Sequence, residues 1–134
     1  MAGRILVVDD EAHILHVLSL KLRNAGYEVF TAVDGEDGYE LAAQHLPDLV
    51  ITDLQMPYMT GVELCRALAN NASTAHIPVL ILTARGYALD DDDLKIGNIK
   101  GVFRKPFSPR AVLQCVKETL AAPASGTGSS SEAA

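Results

Sequence analysis

The chain has 134 residues, 49% of them hydrophobic, and carries a formal net charge of −6. Length and composition support one globular domain with its own core and exclude a disordered polyelectrolyte. An acidic chain is a poor match for nucleic acid or an anionic membrane, so no direct nucleic-acid or membrane partner is expected, and no apolar run approaches the ~20 residues of a membrane span.

Arg4-Ile5-Leu6-Val7-Val8 reads as a strand buried on both faces, because nearly every side chain in it is apolar. It lies so near the start that no room is left for a secretory leader, and a cytoplasmic location is expected. The strand ends in Asp9-Asp10-Glu11. Behind it Ile14, Leu15, Leu18, Leu22 and Ala25 recur at helical spacing, and Gly26 caps that helix. Tyr27 to Ala32 is a second strand. Asp34 caps a helix running to about His45, weakened by Gly35 and Gly38 and given a buried edge by Leu41 and Ala42.

Pro47 marks the turn into a third strand, Leu49-Val50-Ile51-Thr52, which ends abruptly in Asp53. A third helix starts near Gly61 and turns Val62, Cys65, Leu68 and Ala69 inward; Asn70 to Ser73 form a loop. Pro78 to Leu82 is a fourth apolar strand, ending in Thr83-Ala84. Leu89 to Ile96 could form a short acidic helix, although Asp90 to Asp93 favour a solvated helix start over an interior. Gly101 to Arg104 is a short fifth strand leading into Lys105-Pro106-Phe107. Ser108 then caps a helix with Pro109 in its first position and Val112, Leu113, Val116 and Leu120 as its buried stripe. Cys65 and Cys115 fall inside helical patterns and read as reduced packing residues. The ordered domain is expected over residues 1–122. Residues 123–134, rich in Pro, Ala, Ser and Gly, read as a flexible tail or the start of a linker.

Strands and helices that alternate in this way imply an α/β fold: a doubly wound, five-stranded parallel sheet with helices on both faces, in the flavodoxin-like order 2-1-3-4-5. In that order the first, third, fourth and fifth strands are consecutive neighbours ~4.8 Å apart. Their carboxyl ends carry Asp9 and Asp10, Asp53, Thr83 and Lys105, so acids, a hydroxyl and an ammonium converge on one pocket. Clustered carboxylates repel, so one takes up a proton or a cation neutralises them; Mg²⁺ (or Mn²⁺), a hard ion that takes oxygen ligands, suits the second case. A lysine and a hydroxyl beside such a site suit a bound phosphoryl group, with Asp53 as nucleophile. Each residue alone reads as a cap, a turn residue or a solvated charge; the convergence of all of them favours chemistry.

At these residues the chain resembles the receiver domain of two-component response regulators, over residues 4–120. The motifs are Val8-Asp9-Asp10-Glu11, Asp53-Leu54-Gln55-Met56-Pro57-Tyr58-Met59-Thr60-Gly61, Leu82-Thr83-Ala84 and Lys105-Pro106-Phe107. The resemblance implies that Asp53 accepts a phosphoryl group from a sensor histidine kinase or a histidine phosphotransfer protein. It implies that Asp9, Asp10, Asp53 and the backbone carbonyl of Gln55 hold the metal, with Asp10 a more direct ligand than Asp9. Thr83 matches the switch hydroxyl and Lys105 the lysine that pairs with a phosphoryl oxygen, and the Lys105–Pro106 bond is cis in that family. Gln55 and Arg85 fall where receivers tune hydrolysis of the aspartyl phosphate. A downstream effector protein or domain is the implied output, a weak homodimer is a family habit, and catalysis on outside substrates is not expected, since no second acid/base residue is evident.

The chain departs from the family pattern at Val102, where receivers carry the aromatic half of the switch three residues before the lysine. Strand alternation sends the neighbouring Phe103 to the opposite face. Signalling would then use another route, such as Tyr87, or the response would be muted. A constitutive protein-binding scaffold is therefore the alternative to a phosphorylation switch. A flavodoxin-like cofactor binder is a third class, disfavoured because Asp9-Asp10-Glu11 would repel a phosphate without a metal. His13 and His16, one turn apart on the first helix, read as exposed surface that meets a kinase helix ahead of a metal pair; His45 and His76 read as loop-edge residues.

Overall fold

Five parallel strands form one sheet in the order 2-1-3-4-5, as the alternation of elements predicts. The structure is a computed structural model, and it describes residues 3–56, 59–83 and 98–121. The strands are β1 (Arg4–Val8), β2 (Glu28–Ala32), β3 (Leu49–Asp53), β4 (Val79–Thr83) and β5 (Ile99–Arg104). The helices among the described residues are α1 (Ala12–Asn24), α2 (Gly35–His45), α3 (Gly61–Ala69) and α4 (Pro109–Ala121).

Side-chain alternation splits the apolar strands between two cores. Leu6 and Val8 of β1, Val50 of β3 and Ile81 of β4 pack with Ala42 of α2 and with Leu64, Cys65 and Leu68 of α3. Their neighbours Ile5, Val7, Leu49, Ile51, Leu80 and Leu82 pack with Leu18 and Leu22 of α1 and Val112 and Val116 of α4. Both faces are covered, which is why β1, β3 and β4 read as unbroken apolar runs.

Local chemistry fixes where the helices sit. The Asp34 carboxylate accepts the Asp37 amide at 2.8 Å and starts α2. Gly38, a poor helix former, allows α2 to lie against β1: a Cβ there would stand 2.8 Å from a Val8 methyl. A capping box starts α3, with Thr60 and Glu63 exchanging side-chain and backbone bonds at 3.1 and 2.8 Å. The Ser108 hydroxyl accepts the Ala111 amide at 3.2 Å at the start of α4, where the sequence places the cap.

Several expectations need correction. Ala25 is exposed rather than part of the α1 stripe, because α1 ends at Asn24. In α3 the buried side chains include Leu64, while Val62 and Ala69 are only partly buried. β5 begins at Ile99, two residues before the expected Gly101. His45 is the last residue of α2, where the helix was expected to end, but its ring is not idle: it stacks on Phe30 with centroids 4.4 Å apart. Cys65 is buried, Cys115 half-buried, and both are free thiols, as packing residues should be. No helix among the described residues is long and apolar enough to cross a membrane. The proposed helix at 89–96, the acidic run at 90–93, Arg85, Tyr87 and the tail at 123–134 lie outside the described residues.

Candidate functional site

Backbone hydrogen bonds carry the chain just past the ends of β1, β3 and β5 and pin the residues there. The Asp9 amide donates to the Ala32 carbonyl at 3.1 Å, the Leu54 amide to Leu82 at 2.7 Å and the Lys105 amide to Thr83 at 2.8 Å. Asp53 pairs in register with Leu82, and Thr83 with Arg104, so the ends of β3, β4 and β5 are level. The chain leaving Asp53 turns back at once, with the Gly61 amide bonded to the Leu54 carbonyl at 2.8 Å. Only glycine fits at that closure, since a Cβ on Gly61 would lie 2.5 Å from the Asp53 carbonyl oxygen.

Lys105 is the hub. Its Nζ stands 3.2 Å from Asp9 Oδ2, 3.2 Å from Asp53 Oδ1 and 2.8 Å from Glu11 Oε1. Asp9 is fully buried, Asp53 is 5% exposed, and the Lys105 side chain is 18% exposed, so its two contacts with the aspartates form in a poorly hydrated pocket, while the Glu11 contact faces solvent. The Lys105–Pro106 bond is cis, as the resemblance implies.

The charges respond to this setting. Burial, reinforced by the nearby Asp53 charge, pushes Asp9 up from 3.8 to about 6, against the pull of the Glu11 amide and Lys105. Burial also raises Asp53, and Lys105 opposes that rise. For Lys105 burial favours the neutral amine, but the bond to Glu11 and the charges of Asp53 and Asp9 outweigh it and hold the ammonium protonated. Lys105 lowers Glu11 in turn.

Every strand-end residue singled out from the sequence lies at this edge. Asp9, Asp10 and Asp53 offer carboxylate oxygens within 4.8 Å of one another. Thr83 is 2% exposed, at the end of the strand beside Asp53. Gln55 is exposed, two residues beyond Asp53. Val102 is 42% exposed. Phe103 joins the opposite face in the α1/α4 core, as strand alternation requires. His13 and His16 are exposed on α1, and neither joins the acidic group. The residue without an assigned role in the sequence reading is Glu11, the shortest contact of Lys105. The available signal was its place directly after Asp9-Asp10, one residue before a helix.

The donor set fits a hard divalent cation. Three convergent carboxylates, two of them buried and pushed up in pKa, offer oxygen ligands whose mutual repulsion a cation would relieve. Asp9, Asp10 and Asp53 would hold it, with the Gln55 carbonyl as a further oxygen on the adjoining loop.

The family model described as response regulator receiver domain matches residues 5–117. The chain is 39% identical over 117 residues to the DNA-binding dual master transcriptional regulator RpaA of Synechocystis sp., covering 87% of this chain and 48% of that protein. It is 39% identical over 121 residues to the alkaline phosphatase synthesis transcriptional regulatory protein PhoP of Bacillus subtilis, covering 90% and 49%. The chain thus spans about half the length of these curated relatives. Among solved structures it is similar to the chemotaxis response regulator CheY4 of Vibrio cholerae, with a TM-score of 0.80, 32% identity, and coverage of 88% of this chain and 98% of that one. RpaA is described as DNA-binding, so the expected lack of a nucleic-acid partner draws no support from the relatives.

Proposed function

The chain belongs to the response regulator receiver domain family, and we propose that Asp53 is its phosphoacceptor, charged by the phosphohistidine of a sensor histidine kinase or histidine phosphotransfer protein. Members of the family are signalling phosphoacceptors with an acidic Mg²⁺ pocket, and they work with histidine kinases and effector domains. The observation that supports the reading here is the Lys105 ammonium 3.2 Å from a buried Asp53 oxygen, beside a carboxylate cluster.

In this reading an Asp53 oxygen forms the new P–O bond as the P–N bond to the donor imidazole breaks, and the electron pair leaves with the ring nitrogen. Lys105 pairs with one phosphoryl oxygen and the Thr83 hydroxyl donates to another, so charge that spreads over these oxygens meets fixed partners. Asp9, Asp10, Asp53 and the Gln55 carbonyl would hold a divalent cation, which would supply the remaining positive charge. Burial around Asp53 restricts water and favours survival of the acyl phosphate. The new charge shifts an existing conformational equilibrium that an effector reads. A kinase donor sets this activity in the cytoplasm, with residues 1–122 as the responding domain and residues 123–134 as a tail or linker. The cofactor-binding alternative of the same architecture is not what the family match supports.

One observation favours a second reading. The exposed Val102 and the inward Phe103 leave the β5 position of the switch without an aromatic side chain. A constitutive scaffold would bind its partner equally with and without phosphate. Intact-mass analysis after incubation with acetyl phosphate and Mg²⁺ tests the main reading: wild type gains one phosphoryl group, Asp53→Asn gains none, and an unmodified wild type refutes it.

A further inference from the structure

Glu11 caps α1 only through its backbone. Its carbonyl accepts the Ile14 and Leu15 amides at 3.1 and 3.2 Å, while its side chain makes no cap bond. A carboxylate at a helix start ordinarily serves the free amides there. This one turns away to Lys105 at 2.8 Å, closer than either aspartate. The same residue also donates its amide to Asp9 Oδ1 at 2.9 Å. Glu11, Asp9 and Lys105 thus close a ring in which Asp9 receives the Glu11 amide on one oxygen and the Lys105 ammonium on the other.

We infer that Glu11 is a positioning residue that holds the Lys105 ammonium in the unphosphorylated protein and competes for it with the phosphoryl group on Asp53. The inference rests on the proposed phosphoacceptor role of Asp53. Three carboxylates share one ammonium, and a phosphoryl group would bring new anionic oxygens to the same place. Asp9 and Asp53 are buried and fixed at their strand ends, whereas the Glu11 side chain is 58% exposed. Glu11 is therefore the partner that yields, because water solvates it at little cost when it leaves. An exposed ion pair sets the size of the effect, about two- to fivefold in affinity for the phosphoryl group.

Beryllofluoride, a phosphoryl mimic, tests this with the full chain in Mg²⁺, its binding followed by fluorine NMR. Wild type, Glu11→Gln and Glu11→Ala are titrated at low and high salt. At low salt both variants bind about two- to fivefold tighter than wild type. Raising the salt screens the exposed Glu11 pair and brings the three affinities together. In the unliganded protein the Lys105 side-chain nitrogen signal moves in both variants, a change that helix capping alone would not cause. Glu11→Ala, which removes the carboxylate entirely, carries the test if Glu11→Gln does not fold. Equal or weaker binding by the folded variants at low salt overturns the inference. A wild type that takes up no beryllofluoride overturns instead the phosphoacceptor reading beneath it.

Discussion

The Lys105 ammonium stands 3.2 Å from Asp53 Oδ1, and the same nitrogen stands 3.2 Å from Asp9 Oδ2. One cation thus bridges the ends of β1 and β3, which neighbour each other in the sheet, from the far side of β4. Replacing it leaves two buried carboxylates without their counter-charge. Lys105→Met is expected to destabilise the metal-free protein at pH 7 by about 2 kcal/mol, less than a fully buried pair would give because Lys105 retains some solvent. Phosphorylation by acetyl phosphate should slow by more than about tenfold, as transition-state charge loses a fixed partner. Urea unfolding and intact-mass time courses measure the two effects.

Acid should stabilise the metal-free site. Asp9 is pushed up from 3.8 to about 6 when folded, so between those values the folded chain binds the proton more tightly than the unfolded chain does. Its contribution is full below the lower value and is lost as pH rises through about 6. Asp53 shifts in the same direction and adds to the slope, while Glu11 shifts downward and subtracts from it. In chelator, the difference in melting temperature between wild type and Asp9→Asn should therefore move against wild type from pH 4.5 to pH 7. Mg²⁺ should recover wild type more than the variant at pH 7. A flat difference would mean that Asp9 is not perturbed.

Gly61→Ala puts a Cβ 2.5 Å from the Asp53 carbonyl oxygen and 2.9 Å from the Leu54 Cα. Both neighbours are backbone, so relief requires the loop after β3 to move. A loss of about 2 kcal/mol in unfolding free energy is expected. Divalent-ion affinity should fall with it, because the same loop carries Gln55. Calorimetric Mg²⁺ titration of the folded variant checks the second effect.

The strands were legible because burial on both faces writes them as apolar runs, and the order followed from their alternation with helices. The convergence at the candidate site was legible because β1, β3, β4 and β5 end at or beside Asp9, Asp53, Thr83 and Lys105, and the sheet brings Asp9, Asp53 and Lys105 within contact distance. Glu11 was not, since an acid at a helix start has a local use in the cap and nothing in its spacing announces a distant lysine. The inward face of α3 was misjudged at Leu64 because its rotation is set by the Thr60–Glu63 box and the close Gly61 contact, not by periodicity alone. β5 reached back past the expected Gly101 to Ile99, because Ile99 pairs with Val79 of β4 across an irregular step in the register that skips Lys100. The stack of His45 on Phe30 joins the end of α2 to β2 and has no sequence signature.

Locating the phosphoryl group tests the central claim most directly. Borohydride reduces an aspartyl phosphate to homoserine, which peptide mass mapping can place. After treatment with acetyl phosphate, the account predicts homoserine at position 53 alone, and only in samples given Mg²⁺ or Mn²⁺. Homoserine at position 9 or 10, or none anywhere in a phosphorylated sample, would contradict it.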